Sequence, residues 1–153
     1  MDDHHQPITI LLADDDPEDR MLTREALQES RCANKLDTVV DGEELLDYLH
    51  RRGKFASLKG VPLPGLILLD LNMPRKDGRE ALLEIKSDPR LRRIPIVVLT
   101  TSKAEEDIYR SYDLGVNSFI SKPVKFEGLV ELMKTVSYYW VEIVKLPVVE
   151  EAR

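Results

Sequence analysis

The sequence predicts an α/β protein, a doubly wound five-stranded parallel sheet with helices on both faces. Short apolar runs of the kind that form buried parallel strands alternate along the chain with segments of helical periodicity. Polar residues follow these runs, at the strand ends where open parallel sheets carry their reactive groups. For the strand order 2-1-3-4-5, the crevice lies between strands one and three.

The predicted strands cover residues 8–13, 36–40, 66–70, 94–99 and 116–121. The first helix begins at Pro17, where the missing N–H is tolerated, and the others end near residues 50, 87, 114 and 145. Residues 53–65 carry three glycines and two prolines, which indicates a long surface loop. Helical spacing predicts inward faces formed by Met21, Leu22, Ala26 and Leu27, by Leu45, Leu46 and Leu49, and by Ala81, Leu82 and Ile85.

Composition limits the classes of protein to consider. A chain of 153 residues with 42% hydrophobic content is expected to form one domain, here residues 8–146 between a flexible N-terminus (1–7) and a short tail (147–153). The net charge of −6 argues against nucleic acid as a partner. An acidic start and the lack of a long apolar run predict a soluble, cytoplasmic protein without a membrane segment. The single cysteine, Cys32, excludes an internal disulfide.

Five polar residues at four predicted strand ends form the candidate site. Asp14 and Asp15 follow the first strand, and Asp70, Thr100 and Lys122 stand at the ends of the third, fourth and fifth. The carboxyl ends of parallel strands share one edge, so these side chains are expected to meet there. The alternative for Asp70 is that it merely ends a strand or caps the next element.

Clustered carboxylates repel one another unless a cation lies between them, and a few oxygen ligands suit Mg²⁺. Asp14, Asp15 and Asp70 are the candidate carboxylates. Lys122 could pair with Asp70 or hold a phosphoryl oxygen, to which the Thr100 hydroxyl can also donate. This set of groups is what phosphoryl transfer to an aspartate requires, because such catalysis consists mainly of positioning and charge neutralisation.

These residues carry a family resemblance. Asp14-Asp15, Leu69-Asp70-Leu71-Asn72-Met73-Pro74, Leu99-Thr100 and Ser121-Lys122-Pro123 resemble, in order and spacing, the motifs of the receiver domain of bacterial two-component response regulators, a flavodoxin-like fold. The resemblance implies that Asp70 accepts a phosphoryl group from a sensor histidine kinase. It further implies that Asp15 and Asp70 bind Mg²⁺ directly, Asp14 largely through water, and Asn72 through its backbone carbonyl.

The same resemblance implies that Thr100 and Lys122 hold the phosphoryl group and that Phe119 takes the place of the switch aromatic. Phe119 stands where tyrosine is commoner, so a switch that depends on a hydroxyl is not expected. The segments 53–65, 89–95 and 138–147 are similar to those of single-domain regulators that partner bacterial phytochromes. The arginines of 89–95 are more simply explained as a solvated loop than as a docking site.

Two other function classes fit part of the pattern. An aspartate-nucleophile, Mg²⁺-dependent phosphatase usually has a second aspartate two positions after the nucleophile, where this chain has Asn72. A receiver-like interaction module that is never phosphorylated would not need all five site residues. The aromatic run Tyr138-Tyr139-Trp140 on the predicted last helix also favours a homodimer through that helix, although its tail could instead fold back on its own domain.

Overall fold

Five parallel strands form a single sheet in the order β2-β1-β3-β4-β5. The structure is a computed structural model that describes residues 8–31, 34–100, 118–121 and 126–136. The strands are β1 (Thr9–Ala13), β2 (Lys35–Val39), β3 (Leu66–Asp70), β4 (Ile96–Thr100) and β5 (Ser118–Ser121). The predicted strand order and the parallel arrangement are therefore confirmed, and the strand ends differ from the sequence prediction by at most two residues.

Four α-helices are described: α1 (Pro17–Glu29), α2 (Gly42–His50), α3 (Gly78–Ser87) and α4 (Phe126–Val136). Each of the first three follows an aspartate whose side chain accepts a hydrogen bond from the first turn, namely Asp16, Asp41 and Asp77. These caps satisfy amide groups that have no partner within the helix. The helix predicted between β4 and β5, and the part of the last helix beyond residue 136, lie outside the described residues.

The sheet separates two apolar cores. On one face α2 and α3 cover alternate residues of the strands, including Leu11, Ile67 and Val98. On the other face α1 and α4 cover residues such as Ile10 and Leu68. Strands with side chains buried on both faces form continuous apolar runs, which is why they could be located from the sequence.

The prediction for α1 is partly wrong. Ala26 and Leu27 are buried, but Met21 is 55% and Leu22 36% exposed. The buried face instead begins at Thr23. Its hydroxyl donates to the Asp19 carbonyl oxygen, so this buried polar group has a hydrogen-bond partner within the helix. At roughly 100° of rotation per residue, Met21 lies on the opposite side of the helix and Leu22 about 90° from the middle of the buried face. The inward residues predicted for α2 and α3 are confirmed.

The segment predicted as a long loop contains a 3₁₀ helix, Gly53–Leu58. It is fastened to α2 by Arg51, whose backbone is left-handed with φ 56° and whose side chain is buried. The Arg51 guanidinium donates to the carbonyl oxygens of Tyr48, Val61 and Pro62 at 2.9, 3.0 and 3.0 Å. The ring of Phe55 packs edge-on against Tyr48 at 5.2 Å between centroids. The segment is therefore a structured surface element.

Candidate functional site

Three carboxylates meet at the carboxyl edge of the sheet. Asp14 directly follows β1, Asp15 is the next residue, and Asp70 is the last residue of β3. One carboxylate oxygen from each lies within 4.8 Å of the others. Asp14 and Asp70 are only 1% and 6% exposed, whereas Asp15 is exposed. The structure thus brings together the three acidic residues that the sequence selected.

Backbone amides hold two of these carboxylates in place. The amide of Asn72 donates to Asp70 Oδ1 at 2.9 Å, and the amide of Asp16 donates to Asp14 Oδ1 at 3.0 Å. Arg20 Nη1 donates to the backbone carbonyl oxygen of Asp14 at 2.8 Å. The two amide hydrogen bonds therefore fix the orientation of the buried carboxylates of Asp14 and Asp70.

The site fits a divalent cation. All three groups offer carboxylate oxygens, the hard ligands that Mg²⁺, Ca²⁺ and Mn²⁺ prefer. Three negative charges so close together repel one another, and a dication between them converts that repulsion into attraction. Asn72 lies in the loop that follows Asp70, where its backbone carbonyl is the fourth candidate ligand, and its side chain is exposed.

The remaining predicted site residues are placed by the backbone or lie outside the described residues. Asp70 is paired with Leu99 and Thr100 with Ser121 in the parallel ladder, so the ends of β3, β4 and β5 share one edge. Phe119 lies within β5. Lys122 follows the last residue of β5 and lies outside the described residues.

A glycine allows the loop after Asp70 to return tightly to the sheet. The amide of Gly78, the first residue of α3, donates to the Leu71 carbonyl oxygen at 3.0 Å. A Cβ atom at this position would lie 2.4 Å from the Asp70 carbonyl oxygen and 2.6 Å from Leu71 Cα. Both are backbone atoms, so only glycine lets α3 begin this close to the candidate phosphoacceptor.

Sequence reasoning missed a second set of contacts near the site. Asp41 and Arg75 form an ion pair across two loops, with Arg75 Nε 2.8 Å from Asp41 Oδ2. The pattern of Asp41 followed three residues later by Glu44 indicates a helix N-terminus and could have drawn attention to Asp41 as a cap. Nothing in the sequence marks Arg75 as its partner, because the two are 34 residues apart.

Comparisons with known proteins agree with this geometry. The family model for the response regulator receiver domain matches residues 10–134. The response regulator Rcp1 of Synechocystis sp. is 41% identical over 146 residues, which cover 95% of this chain and 97% of Rcp1. The crystal structure of its Mn²⁺-bound form has a TM-score of 0.80 at 42% identity, covering 92% of this chain and 99% of that one.

Two further solved structures are similar. The phosphorylated cyanobacterial phytochrome response regulator RcpA is 45% identical with a TM-score of 0.83, covering 93% of this chain and 99% of that one. The bacteriophytochrome response regulator RtBRR is 39% identical with a TM-score of 0.76, covering 93% of this chain and 85% of that one. The family model matches most of the chain, and the relatives have nearly the same length. Three carboxylates also meet at the carboxyl edge of a 2-1-3-4-5 sheet. This chain therefore belongs to the response regulator receiver domain family of two-component signalling.

Proposed function

We propose that this response regulator accepts a phosphoryl group on Asp70, with Mg²⁺ bound by Asp14, Asp15, Asp70 and the backbone carbonyl of Asn72. The observation that carries the proposal is the approach of the three carboxylates to within 4.8 Å at the edge where β3 ends. Of the three, Asp70 alone lies in the central strand, which it terminates, and the Asn72 amide of the following loop orients one of its oxygens.

The proposed reaction is transfer from a phosphohistidine. An Asp70 carboxylate oxygen attacks phosphorus, the O–P bond forms as the N–P bond breaks, and the imidazole leaves and takes up a proton. Bound Mg²⁺ supplies neutralisation of the phosphoryl oxygens and of the attacking carboxylate. Thr100 and Lys122 complete the proposed site by holding the phosphoryl group after transfer, and Phe119 is the proposed switch residue.

The proposal is tested by incubation with acetyl phosphate and Mg²⁺, followed by separation of the phosphorylated form on a phosphate-affinity gel. Asp70→Asn removes the nucleophile and is expected to take up no phosphate. Asp16→Asn is the matched control, because it removes one negative charge from the same acidic run and leaves an oxygen to cap α1. Phosphate that still appears on Asp70→Asn would place the acceptor elsewhere.

The same experiment separates this proposal from the other two classes. Stable aspartyl phosphate supports a phosphoacceptor that assists its own phosphorylation and dephosphorylation but is not an enzyme acting on other molecules. Rapid catalytic turnover of the donor would indicate a phosphatase, and no uptake would indicate an inert interaction module. The Asn72 side chain cannot act as the general acid that a phosphatase has two residues after its nucleophile.

We further propose that the phosphoryl donor is a sensor histidine kinase of the bacteriophytochrome type and that both proteins are cytoplasmic. The support is the similarity to RcpA and RtBRR, which are phytochrome response regulators. No described helix is both long and apolar enough to span a membrane. Transfer of phosphate from a purified bacteriophytochrome kinase, faster than from an unrelated histidine kinase, would support this partner, whereas equal rates would contradict it.

A homodimer through the last helix is also proposed. Leu129, Val130 and Met133 of α4 are already buried in the core beside α1. The aromatic residues farther along the chain, including Tyr139 and Trp140, carry the proposal because such residues are enriched at interfaces. They lie outside the described residues. Sedimentation should show a dimer for the intact protein and a monomer for Tyr139→Ala/Trp140→Ala; an intact protein that stays monomeric with and without phosphodonor would contradict it.

A further inference from the structure

The loop between Asp70 and α3, residues 71–77, is held by α2 as well as by its own ends. Near Asp70, the amide of Leu71 donates to the Leu99 carbonyl oxygen at 3.3 Å. In its second half, Arg75 pairs with Asp41 at 2.8 Å, and the amide of Gly42 donates to the Lys76 carbonyl oxygen at 2.9 Å. These last two contacts join the loop that carries Asn72 to the N-terminus of α2.

Asp41 is built to hold this position. Its side chain is 3% exposed, and its two oxygens have different partners: Oδ1 accepts from the Glu44 amide at 2.8 Å and Oδ2 from Arg75. Burial works to raise the pKa of Asp41, but the hydrogen bond from the Glu44 amide and the Arg75 guanidinium together lower that pKa below its ordinary value. The carboxylate therefore stays charged although it is buried.

The loop backbone is constrained to match. Arg75 has φ 61°, a left-handed conformation that is strained for residues other than glycine and persists only where the surroundings impose it. At Gly42, a Cβ atom would lie 2.2 Å from the Lys76 carbonyl oxygen, so the two loops touch backbone to backbone. Strain of this kind is found where surrounding contacts fix a functional segment.

We propose that Asp41 and Arg75 are positioning residues for the metal site: their ion pair fixes the 71–77 loop so that the backbone carbonyl of Asn72 is available as a ligand. This inference rests on the proposed metal site. Neither residue is proposed as a ligand or as a group that touches phosphate. Outer-shell partners of this kind orient the ligands of a metal and commonly set its affinity.

If the two charges acted on the metal only by electrostatics, the two substitutions would change metal affinity in opposite directions, which distinguishes that explanation from positioning. Arg75 is a cation three residues from Asn72, and removing a cation near a cation site should tighten metal binding by relieving repulsion. Removing the Asp41 charge should, on the same ground, weaken binding. If the ion pair acts by positioning, both substitutions weaken binding, and combining them adds little because they break the same contact.

The experiment measures Mn²⁺ binding to the full chain by electron paramagnetic resonance of the free ion. Arg75→Gly is the main variant because glycine adopts φ 61° without strain, so the ion pair is removed and the backbone conformation remains available. Asp41→Asn is the second, since asparagine keeps an oxygen for the Glu44 amide. Each is expected to raise the dissociation constant about tenfold, and the double variant no further than about that.

Lys76→Gln is the matched control. It removes the same charge from the next residue of the loop, but Lys76 Nζ forms its ion pair with Glu84 of α3, at 2.7 Å, and its attraction to Glu43 of α2 is weaker. This control should bind Mn²⁺ at least as tightly as the wild type. The proposal would be overturned if the Arg75→Gly variant bound Mn²⁺ as tightly as the wild type or more tightly.

A second measurement does not depend on metal. The amide of Gly42 donates to the Lys76 carbonyl oxygen, so its hydrogen exchange, measured without added metal, reports contact between the two loops. Exchange at Gly42 should be faster in Arg75→Gly than in Lys76→Gln, and equal rates would overturn the proposal. A wild type that binds no Mn²⁺ would refute the metal site itself and this inference with it, whereas normal wild-type binding with unaffected variants would refute the inference alone.

Discussion

Replacement of Gly78 by alanine tests whether the close approach of α3 to Asp70 is required. A Cβ atom would lie 2.4 Å from the Asp70 carbonyl oxygen, and non-bonded carbon contacts are ordinarily about 3.5–4.0 Å, so the backbone must separate by about 1 Å. Overpacking of this size costs about 1–3 kcal/mol. Alanine is otherwise the better helix former, by up to about 1 kcal/mol, which makes the two effects opposite in sign.

We therefore expect Gly78→Ala to lower the free energy of unfolding by about 1–2 kcal/mol, measured by urea denaturation, and to slow phosphorylation by acetyl phosphate. Ser87→Ala, at the exposed last residue of the same helix, is the control and should change stability by less than about 0.5 kcal/mol. If Gly78→Ala were as stable as the wild type and equally reactive, the reasoning about this contact would be wrong.

Further outcomes are expected for Asp15, Tyr48 and Asp41. Asp15→Ala should weaken Mn²⁺ binding much more than Asp16→Ala, because Asp15 belongs to the carboxylate group and Asp16 caps α1. The Asp16→Ala variant should instead lose about 1 kcal/mol of stability. Equal losses of affinity for Mn²⁺ would mean that Asp15 is wrongly chosen as a ligand. Tyr48→Phe should destabilise the fold by about 1–2 kcal/mol in urea, since the Tyr48 hydroxyl donates to Asp37 at 2.6 Å. Burial and Asp37 raise the pKa of Tyr48 above its ordinary 10.0, so the stability gained from the protonated hydroxyl is complete below pH 10.0 and is lost as the pH rises through the raised pKa. Absorbance at high pH should show Tyr48 ionising after the other tyrosines. Simultaneous ionisation of all the tyrosines would contradict the assignment. The pKa of Asp41 is lowered from 3.8, so the stability that its carboxylate contributes should be present above pH 3.8 and be lost as the pH falls through the lowered pKa. Asp41→Asn should therefore reduce the dependence of stability on pH in acid-unfolding curves.

The sequence was sufficient to predict the sheet and the meeting of three acidic residues at one edge of it. The strand Leu66–Asp70 is buried on both faces, so its apolar run and the aspartate that ends it are visible without coordinates. Asp14, Asp15 and Asp70 could be grouped because every parallel strand delivers its carboxyl end to the same edge.

Contacts that depend on packing between elements could not be predicted in the same way. Met21 and Leu22 are apolar, yet the rotation of α1 about its axis turns them away from the sheet and buries Thr23 instead. The pairing of Asp41 with Arg75 follows from how two loops meet, and no local pattern records it. The roles assigned to Thr100, Phe119 and Lys122 remain predictions, because their side chains are not among those that the structure describes.

The way Arg51 fastens the 53–65 segment has a consequence for proteolysis. Arg52, Lys54 and Lys59 offer three trypsin sites on an exposed stretch. Trypsin must draw several residues into its cleft in an extended form, and the Arg51 guanidinium holds the carbonyl oxygens at 61 and 62 against the end of α2. Cleavage here therefore requires the segment to open first, and its rate should follow the free energy of that opening. Limited digestion of the native protein should therefore cut these three sites slowly, and Arg51→Ala should speed their cleavage by lowering the cost of opening.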